Sequence, residues 1–187
     1  MIHVLYLDDE EHNLTAFRAA FRRDFNVYVT TSASEAERLI QEHPIEVIIS
    51  DQKMPDVSGV EFLELMMKNH PDPVRMLLTG HADIDAVIDA INKGRIYKYI
   101  SKPWNEAELR RLVEEASDIY RARKRNKAVS ENYGRNLQAI RAALVDLRSE
   151  CEAHSGLDGA EKARWSDTLS RMIGWIENPE SDFHEGT

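Results

Sequence analysis

The sequence has a single cysteine, no long apolar run and no excess of positive charge, and each absence excludes a class of protein. One cysteine, Cys151, rules out a disulfide within the chain and a metal site built from several cysteines. No apolar stretch approaches the roughly 20 residues that span a bilayer, so we predict no membrane segment. The chain begins with a strand-like apolar run and no basic leader, so we expect a cytoplasmic protein.

The formal charge of −9 disfavours general affinity for nucleic acid, and its distribution divides the chain. Residues 1–118 carry 22 Asp and Glu against 13 Lys and Arg, whereas residues 119–187 carry 11 of each. We therefore expect two regions of different character, 1–122 and 123–187. The first has the length of one domain and the second that of an appendage.

Short apolar runs alternate with helical patterns in the first region. Because the runs are rich in β-branched residues, they suit strands that are buried on both faces. Helix starts are indicated by Ser34-x-x-Glu37 and Ser58-x-x-Glu61, which have the form of capping boxes. The pattern predicts an α/β fold with a doubly wound, five-stranded parallel sheet. The predicted strands are residues 2–7, 26–30, 46–50, 74–79 and 96–100.

Polar and charged side chains follow the predicted strands, where such sheets bind their ligands. Asp8 and Asp9 follow the first strand, Asp51 follows the third, Thr79 ends the fourth, and Lys102 follows the fifth. Three carboxylates at one sheet edge repel each other unless a cation neutralises them, and oxygen ligands suit Mg²⁺. An adjacent ammonium and hydroxyl complete a clamp for a phosphoryl group.

The motifs Asp8-Asp9, Asp51 with Met54-Pro55 and Gly59, Thr79-Gly80, Tyr99, and Lys102-Pro103 stand in this order along the chain. In this order they resemble the receiver domain of two-component response regulators, and the likeness covers residues 1–122. The resemblance implies a (βα)₅, flavodoxin-like receiver with Mg²⁺ as its cofactor. It also implies that a sensor histidine kinase or a phosphotransfer protein supplies the phosphoryl group.

The resemblance assigns a role to each residue at the predicted site. Asp51 would accept the phosphoryl group, and Lys102 would contact it. Asp8 and Asp9 would hold Mg²⁺ together with Asp51 and the backbone carbonyl of Lys53. The activity would be limited to phosphorylation and autodephosphorylation of Asp51, so we do not expect an enzyme in the usual sense.

Three further side chains would modulate or transmit the reaction. Thr79, which also contacts the phosphoryl group, would form a switch pair with Tyr99. Lys53 and His81 lie two residues beyond Asp51 and Thr79, where side chains line the path of the hydrolytic water. The Lys102-Pro103 peptide bond is often cis in receivers.

Two other classes of function fit the predicted sheet less well. A Mg²⁺-dependent phosphohydrolase of the haloacid dehalogenase type needs a second aspartate two residues after its nucleophile, where this chain has Lys53. A protein that binds flavin or nucleotide needs a glycine-rich loop after the first strand. Residues 8–11 are instead all acidic.

The second region is helical in pattern. Apolar positions recur at spacings of three and four from Leu109 to Cys151, which is typical of a coiled-coil seam of about 43 residues. A turn containing Gly156 and Gly159 and a second amphipathic stretch follow. We therefore predict a coiled coil or a helical hairpin over residues 123–187.

The predicted hairpin suggests how the protein passes on its signal. Two hairpins would associate into a four-helix bundle, so we expect a homodimer through the tail and a downstream protein partner. Alternatively, the tail packs on its own receiver, or an output domain lies beyond residue 187. Five cations between residues 121 and 127 also fit a nucleic-acid contact. We do not expect DNA binding, because no helix-turn-helix pattern follows and the tail is neutral.

Overall fold

Five parallel strands form one sheet in the order β2-β1-β3-β4-β5. The structure is a computed structural model, and it describes residues 1–80 and 96–177. This sheet confirms the predicted fold class. The strands are β1 (Ile2–Leu7), β2 (Phe25–Thr30), β3 (Val47–Asp51), β4 (Val74–Thr79) and β5 (Lys98–Ser101).

Helices cover both faces of the sheet, because side chains alternate between the two faces along each strand. On β1, Val4 and Tyr6 pack on one face, and Leu5 and Leu7 pack on the other. The first face is covered by α1 and α4, and the second by α2 and α3. The helices are α1 (Glu11–Phe21), α2 (Ala33–Glu42), α3 (Gly59–Asn69), α4 (Glu106–Ala153) and α5 (Gly159–Glu177).

The capping residue at the start of α3 is the one predicted from the sequence, whereas the capping residue of α2 is a different one. Ser58 and Glu61 form the predicted capping box at the start of α3. The prediction of Ser34 as the α2 cap is wrong, because Ser32 caps α2 and its hydroxyl accepts a 3.5 Å hydrogen bond from the amide of Glu35. Ser32 and Glu35 have the same spacing as Ser34 and Glu37, so the pattern alone could not choose between the two starts.

An ion pair between a buried carboxylate and a partly exposed guanidinium attaches α4 to the amino edge of the sheet. Glu46 lies just before β3 with 6% of its surface exposed. Its carboxylate accepts hydrogen bonds from the Ser117 hydroxyl at 2.6 Å and from the Arg121 guanidinium at 2.8 and 3.2 Å. Burial alone would raise the Glu46 pKa, but the bonds from Arg121 and Ser117 lower it below its usual value. We call Glu46, Ser117 and Arg121 the amino-edge cluster.

The chain divides into two compact units, residues 1–125 and 126–187. Within the second unit, the end of α4 and the whole of α5 form a helical hairpin. Leu169 and Ile173 of α5 are buried in it. A salt bridge joins Arg141 to Glu177 at 2.6 Å, and the Ser166 hydroxyl donates a 3.0 Å hydrogen bond to the Glu152 carboxylate. The predicted continuous helix from Leu109 to Cys151 is confirmed, since α4 is a single helix of 48 residues. Among the described helices, none has the length and apolarity that crossing a bilayer requires.

Candidate functional site

The carboxyl ends of the parallel strands bring the predicted site residues to one edge of the sheet. Asp51 and Thr79 end β3 and β4, and Asp8 follows β1. Lys102 follows β5, and its backbone amide donates a 2.9 Å hydrogen bond to the carbonyl of Thr79. Together these ends form a pocket of about 340 Å³. It is lined by Asp8, Asp9, Glu10, Asn13, Asp51, Gln52, Lys53, Thr79, Gly80 and Lys102.

Lys102 is shared between two buried carboxylates. Its Nζ lies 2.9 Å from Oδ2 of Asp8 and also contacts Oδ1 of Asp51. Burial alone would lower the Lys102 pKa, but the hydrogen bonds to Asp51 and Asp8 raise it above its usual value. Lys102 is therefore a fixed positive charge at neutral pH, beside the proposed phosphoacceptor. The Lys102–Pro103 peptide bond is cis.

Asp8 receives hydrogen bonds from several directions at once. Its Oδ1 accepts bonds from the amide of Glu10 at 3.0 Å and from Nδ2 of Asn13 at 2.9 Å. Its Oδ2 accepts a bond from the Tyr6 hydroxyl and contacts Lys102. Burial alone would raise the Asp8 pKa, yet these bonds lower it below its usual value. Asp8 is thus held in its charged form.

The Tyr6 hydroxyl is a donor that sequence analysis missed. Tyr6 is fully buried on β1, and burial, followed by its bond to Asp8, raises its pKa well above the usual value. Asn13 was missed in the same way. The sequence does contain one indication of the Tyr6 contact. Tyr6 carries a hydroxyl and lies two residues before Asp8, so the two side chains are on the same side of the strand.

Asp51 is held by the loop that follows it. Its Oδ2 accepts a 2.7 Å hydrogen bond from the amide of Lys53. The carbonyl of Gln52 accepts a 3.0 Å bond from the amide of Gly59, and the Gln52 side chain accepts a bond from the amide of Val60. A Cβ added at Gly59 would collide with the Asp51 carbonyl oxygen. Gly59 therefore lets the start of α3 approach Asp51, a reason for this glycine that the sequence motif did not supply.

Some of the other predicted residues line the pocket, and others do not. Thr79 is buried at the pocket, and its hydroxyl donates a 2.9 Å hydrogen bond to the carbonyl of Gly80. Asp9 and Lys53 line the pocket and are exposed. Tyr99 is 45% exposed on β5 and does not line the pocket. His81 lies outside the described residues.

The donors around the pocket have the chemistry that Mg²⁺ prefers. They are the carboxylate oxygens of Asp8, Asp9, Glu10 and Asp51. Within residues 1–80 and 96–177, no three His, Cys, Asp or Glu side chains converge closely enough to hold a metal ion. Asp8 and Asp51 both face Lys102 instead. The carboxylates therefore suit Mg²⁺ chemically. The Lys102 ammonium lies between two of them, Asp8 and Asp51.

Comparison with known proteins identifies the first unit. The family model for the response regulator receiver domain matches residues 4–114. The hydrogenase transcriptional regulatory protein HoxA of Bradyrhizobium diazoefficiens is 39% identical over 121 residues, which cover 65% of this chain and 25% of HoxA. This chain thus matches about a quarter of the length of that relative.

Two solved structures share the fold. A receiver domain from Clostridium thermocellum is 29% identical, with a TM-score of 0.60, over 69% of this chain and 99% of that one. The beryllofluoride-activated NtrC4 receiver domain dimer is 32% identical, with a TM-score of 0.59, over 64% and 99%. This chain therefore belongs to the family of response regulator receiver domains, which are phosphorylated on an aspartate by histidine kinases.

Proposed function

We propose that this chain accepts a phosphoryl group on Asp51 from the phosphohistidine of a sensor kinase or phosphotransfer protein. The observation that carries the proposal is the Lys102 ammonium, which contacts both Asp51 and Asp8 at the carboxyl edge of the sheet. A fixed positive charge beside a carboxylate suits a reaction in which negative phosphoryl oxygens arrive at that carboxylate. The proposed location is the cytoplasm.

The transfer requires little covalent chemistry from the protein. An oxygen of Asp51 attacks phosphorus, the new P–O bond forms as the P–N bond breaks, and the imidazole leaves with the electron pair and takes up a proton. The backbone amide of Lys53 fixes one oxygen of Asp51, and Lys102 neutralises charge on the arriving oxygens. Hydrolysis later breaks the bond between Asp51 and phosphorus by attack of water.

The proposed metal site uses Asp8, Asp9, Asp51 and the backbone carbonyl of Lys53. These groups would hold Mg²⁺, which would supply positive charge to offset the carboxylates and the arriving phosphoryl oxygens. Four carboxylates line the pocket against the two ammonium groups of Lys53 and Lys102, so the pocket carries a net negative charge that favours a divalent cation. The proposed activity is confined to phosphorylation and dephosphorylation of Asp51 itself.

The proposed switch consists of Thr79 and Tyr99. The Thr79 hydroxyl would exchange its bond to the Gly80 carbonyl for a bond to a phosphoryl oxygen. The exposed ring of Tyr99 would then turn inward, which shifts the population between two conformations of the surface around β5. Lys53 and His81 are proposed to adjust the rate at which water reaches the phosphoryl group.

The test is intact-mass analysis of the whole chain after incubation with acetyl phosphate and Mg²⁺. We expect one added phosphoryl group, which Asp51→Asn or chelation of the metal abolishes. Asp56→Asn is the matched control, because Asp56 is an exposed acid in the same loop and does not line the pocket. Labelling that persists in Asp51→Asn would refute the assignment.

For the output, we propose a homodimer that forms through the tail and presents a surface to a downstream protein. An apolar groove of about 470 Å³ runs between the two helices of the hairpin. Met172 and Trp175 in this groove are each 51% exposed, so neighbouring large apolar side chains face solvent in one groove. A second hairpin seated on the groove would complete a four-helix bundle. The groove is lined by Leu137, Ile140, Leu144, Thr168, Arg171, Met172, Trp175 and Ile176.

Light scattering on the whole chain tests the dimer. We expect a dimer for the natural sequence and a shift towards monomer for Ile140→Asp, which places a charge in the groove. Gln138→Asp is the matched control, because Gln138 is exposed on the same helix and does not line the groove. A monomeric natural chain would exclude the proposal.

A DNA-binding output is the second candidate. HoxA is by name a transcriptional regulatory protein, and this chain matches about a quarter of it. Such an output would lie in a longer chain, because residues 119–187 are neutral overall. An electrophoretic shift of random-sequence DNA by residues 1–187 would instead assign DNA binding to the tail itself.

A further inference from the structure

A tyrosine hydroxyl reaches the proposed metal site from the hydrophobic core. Tyr6 is fully buried on β1, and its ring packs against Phe17 with 4.6 Å between ring centroids. The hydroxyl donates a hydrogen bond to Oδ2 of Asp8. The Tyr6 ring is therefore fixed by the core while its polar end contacts a carboxylate of the pocket.

The other bonds to Asp8 come from different sides. The Glu10 amide holds Oδ1 from the loop at 3.0 Å, and the Asn13 side chain contacts both oxygens from α1, at 2.9 Å to Oδ1 and 3.1 Å to Oδ2. Lys102 contacts Oδ2 from the pocket at 2.9 Å. Tyr6 thus adds a contact to Oδ2 that opposes the pull of Lys102. With both oxygens held, the plane of the carboxylate is fixed.

We propose that the Tyr6 hydroxyl is a positioning group that orients Asp8 for divalent metal binding. The inference rests on the proposed function, in which Asp8 belongs to the Mg²⁺ site. Without the hydroxyl, Oδ2 of Asp8 has less to restrain it from turning towards Lys102. A closer Asp8–Lys102 pair would satisfy the charge of Asp8 and compete with the incoming cation.

The expected loss of metal affinity in Tyr6→Phe depends on the hydrogen bonds that Asp8 still accepts. Loss of a group that orients a metal ligand costs about 10- to 100-fold in metal affinity. Because Glu10 and Asn13 still hold Oδ1, we place Tyr6→Phe at the low end, with affinity weakened about 10-fold. Phenylalanine keeps the ring contact with Phe17, so the core is preserved.

The experiment compares the natural chain, Tyr6→Phe and the control Tyr28→Phe. Tyr28 lies on the adjacent strand, and its hydroxyl contacts the His3 ring at 3.1 Å instead of a site carboxylate. Mn²⁺ serves as the probe, and the paramagnetic resonance signal of free Mn²⁺ gives the affinity. We expect Tyr6→Phe to bind Mn²⁺ about 10-fold more weakly and Tyr28→Phe to match the natural chain.

A second readout separates positioning from a general structural effect. In labelling by acetyl phosphate, Tyr6→Phe should raise the half-saturating Mg²⁺ concentration about 10-fold and leave the rate at saturating Mg²⁺ unchanged. Unchanged Mn²⁺ affinity in Tyr6→Phe, or a lower saturated rate with the same half-saturation point, would overturn the inference.

A third measurement needs no variant. The NMR resonance of the Tyr6 hydroxyl proton in the natural chain should shift when Mg²⁺ is added, and a resonance that stays fixed would also overturn the inference. Failure of the proposed function is distinguishable from all these outcomes, because the natural chain itself would then bind no Mn²⁺.

Discussion

The two edges of the receiver sheet both pair buried carboxylates with a cation, but only one of them balances its charges. At the amino edge, one carboxylate, Glu46, faces one guanidinium, Arg121. At the carboxyl edge, Asp8 and Asp51 share the ammonium of Lys102. Asp9, Glu10 and Lys53 line the same pocket, which therefore has four carboxylates and two ammonium groups. The comparison suggests that balanced charge attaches a helix, whereas unbalanced charge prepares a site for a cation and a phosphoryl group.

The position of each cluster in the fold is consistent with this division. Glu46 bonds to two residues of α4, so the amino-edge cluster fixes a helix to the sheet. The carboxyl edge is formed by loops that follow the strands, and these loops carry exposed charged side chains that line the pocket, such as Asp9 and Lys53. A rigid sheet that presents residues on loops is the usual arrangement for a reactive site.

The largest effect on stability is expected from filling space at the carboxyl edge. Gly59→Ala places a Cβ against the Asp51 carbonyl and the Leu77 side chain, so we expect a loss of about 3 kcal/mol. Gly134→Ala is the matched control, because a Cβ there meets nothing within 4 Å and alanine favours the helix. Urea denaturation measures both. Equal stability of the two variants would contradict the close approach at Gly59.

The next effect tests the difference in charge balance directly. Lys102→Met removes the ammonium that Asp8 and Asp51 share, so we expect a loss of about 2 kcal/mol that Mg²⁺ largely restores. Arg121 is 45% exposed, so Arg121→Met should cost about 1 kcal/mol, with no restoration by Mg²⁺. Thermal unfolding with and without Mg²⁺ measures the stability of both variants. Restoration of both variants, or of neither, would remove the distinction between the edges.

The smallest effect concerns the pH dependence of the amino-edge cluster. The Glu46 pKa is lowered in the folded chain, so its stabilisation is complete above the unfolded value of about 4.3 and is lost as pH falls through the folded value. Glu46→Gln should therefore cost about 1 kcal/mol at pH 7 and progressively less as the pH falls below about 4.

Exposed Glu114→Gln serves as the control for Glu46→Gln, since Glu114 lies on the surface of the same helix that the cluster attaches. We expect this control to leave stability nearly unchanged at both pH values. A cost of Glu46→Gln that stays constant between pH 7 and pH 3 would show that its ionisation is not coupled to folding.

The sequence predicted the carboxyl edge well, because a simple rule governs it. Apolar runs that end in Asp51, Thr79 and Lys102 must converge if the strands are parallel, and the structure brings them together. The continuous helix from Leu109 to Cys151 was equally predictable, since a periodic pattern needs no knowledge of distant contacts.

The amino edge could not be predicted from the sequence. Glu46 and Arg121 are separated by 75 residues, and nothing in the local pattern pairs them. The bond from Tyr6 to Asp8 depends on where a side chain points within the core, and the choice between Ser32 and Ser34 as a cap depends on the exact end of β2. Each of these is decided by packing in three dimensions, which periodicity does not encode.

The most direct test of the central claim is chemical identification of the phosphorylated residue. Borohydride reduces an aspartyl phosphate to homoserine, so the whole chain would be treated with acetyl phosphate and Mg²⁺, reduced, digested and mapped by mass spectrometry. We expect homoserine at position 51 and at no other aspartate, with none formed when Mg²⁺ is chelated. Homoserine at Asp8, Asp9 or Asp56 with none at position 51 would contradict it.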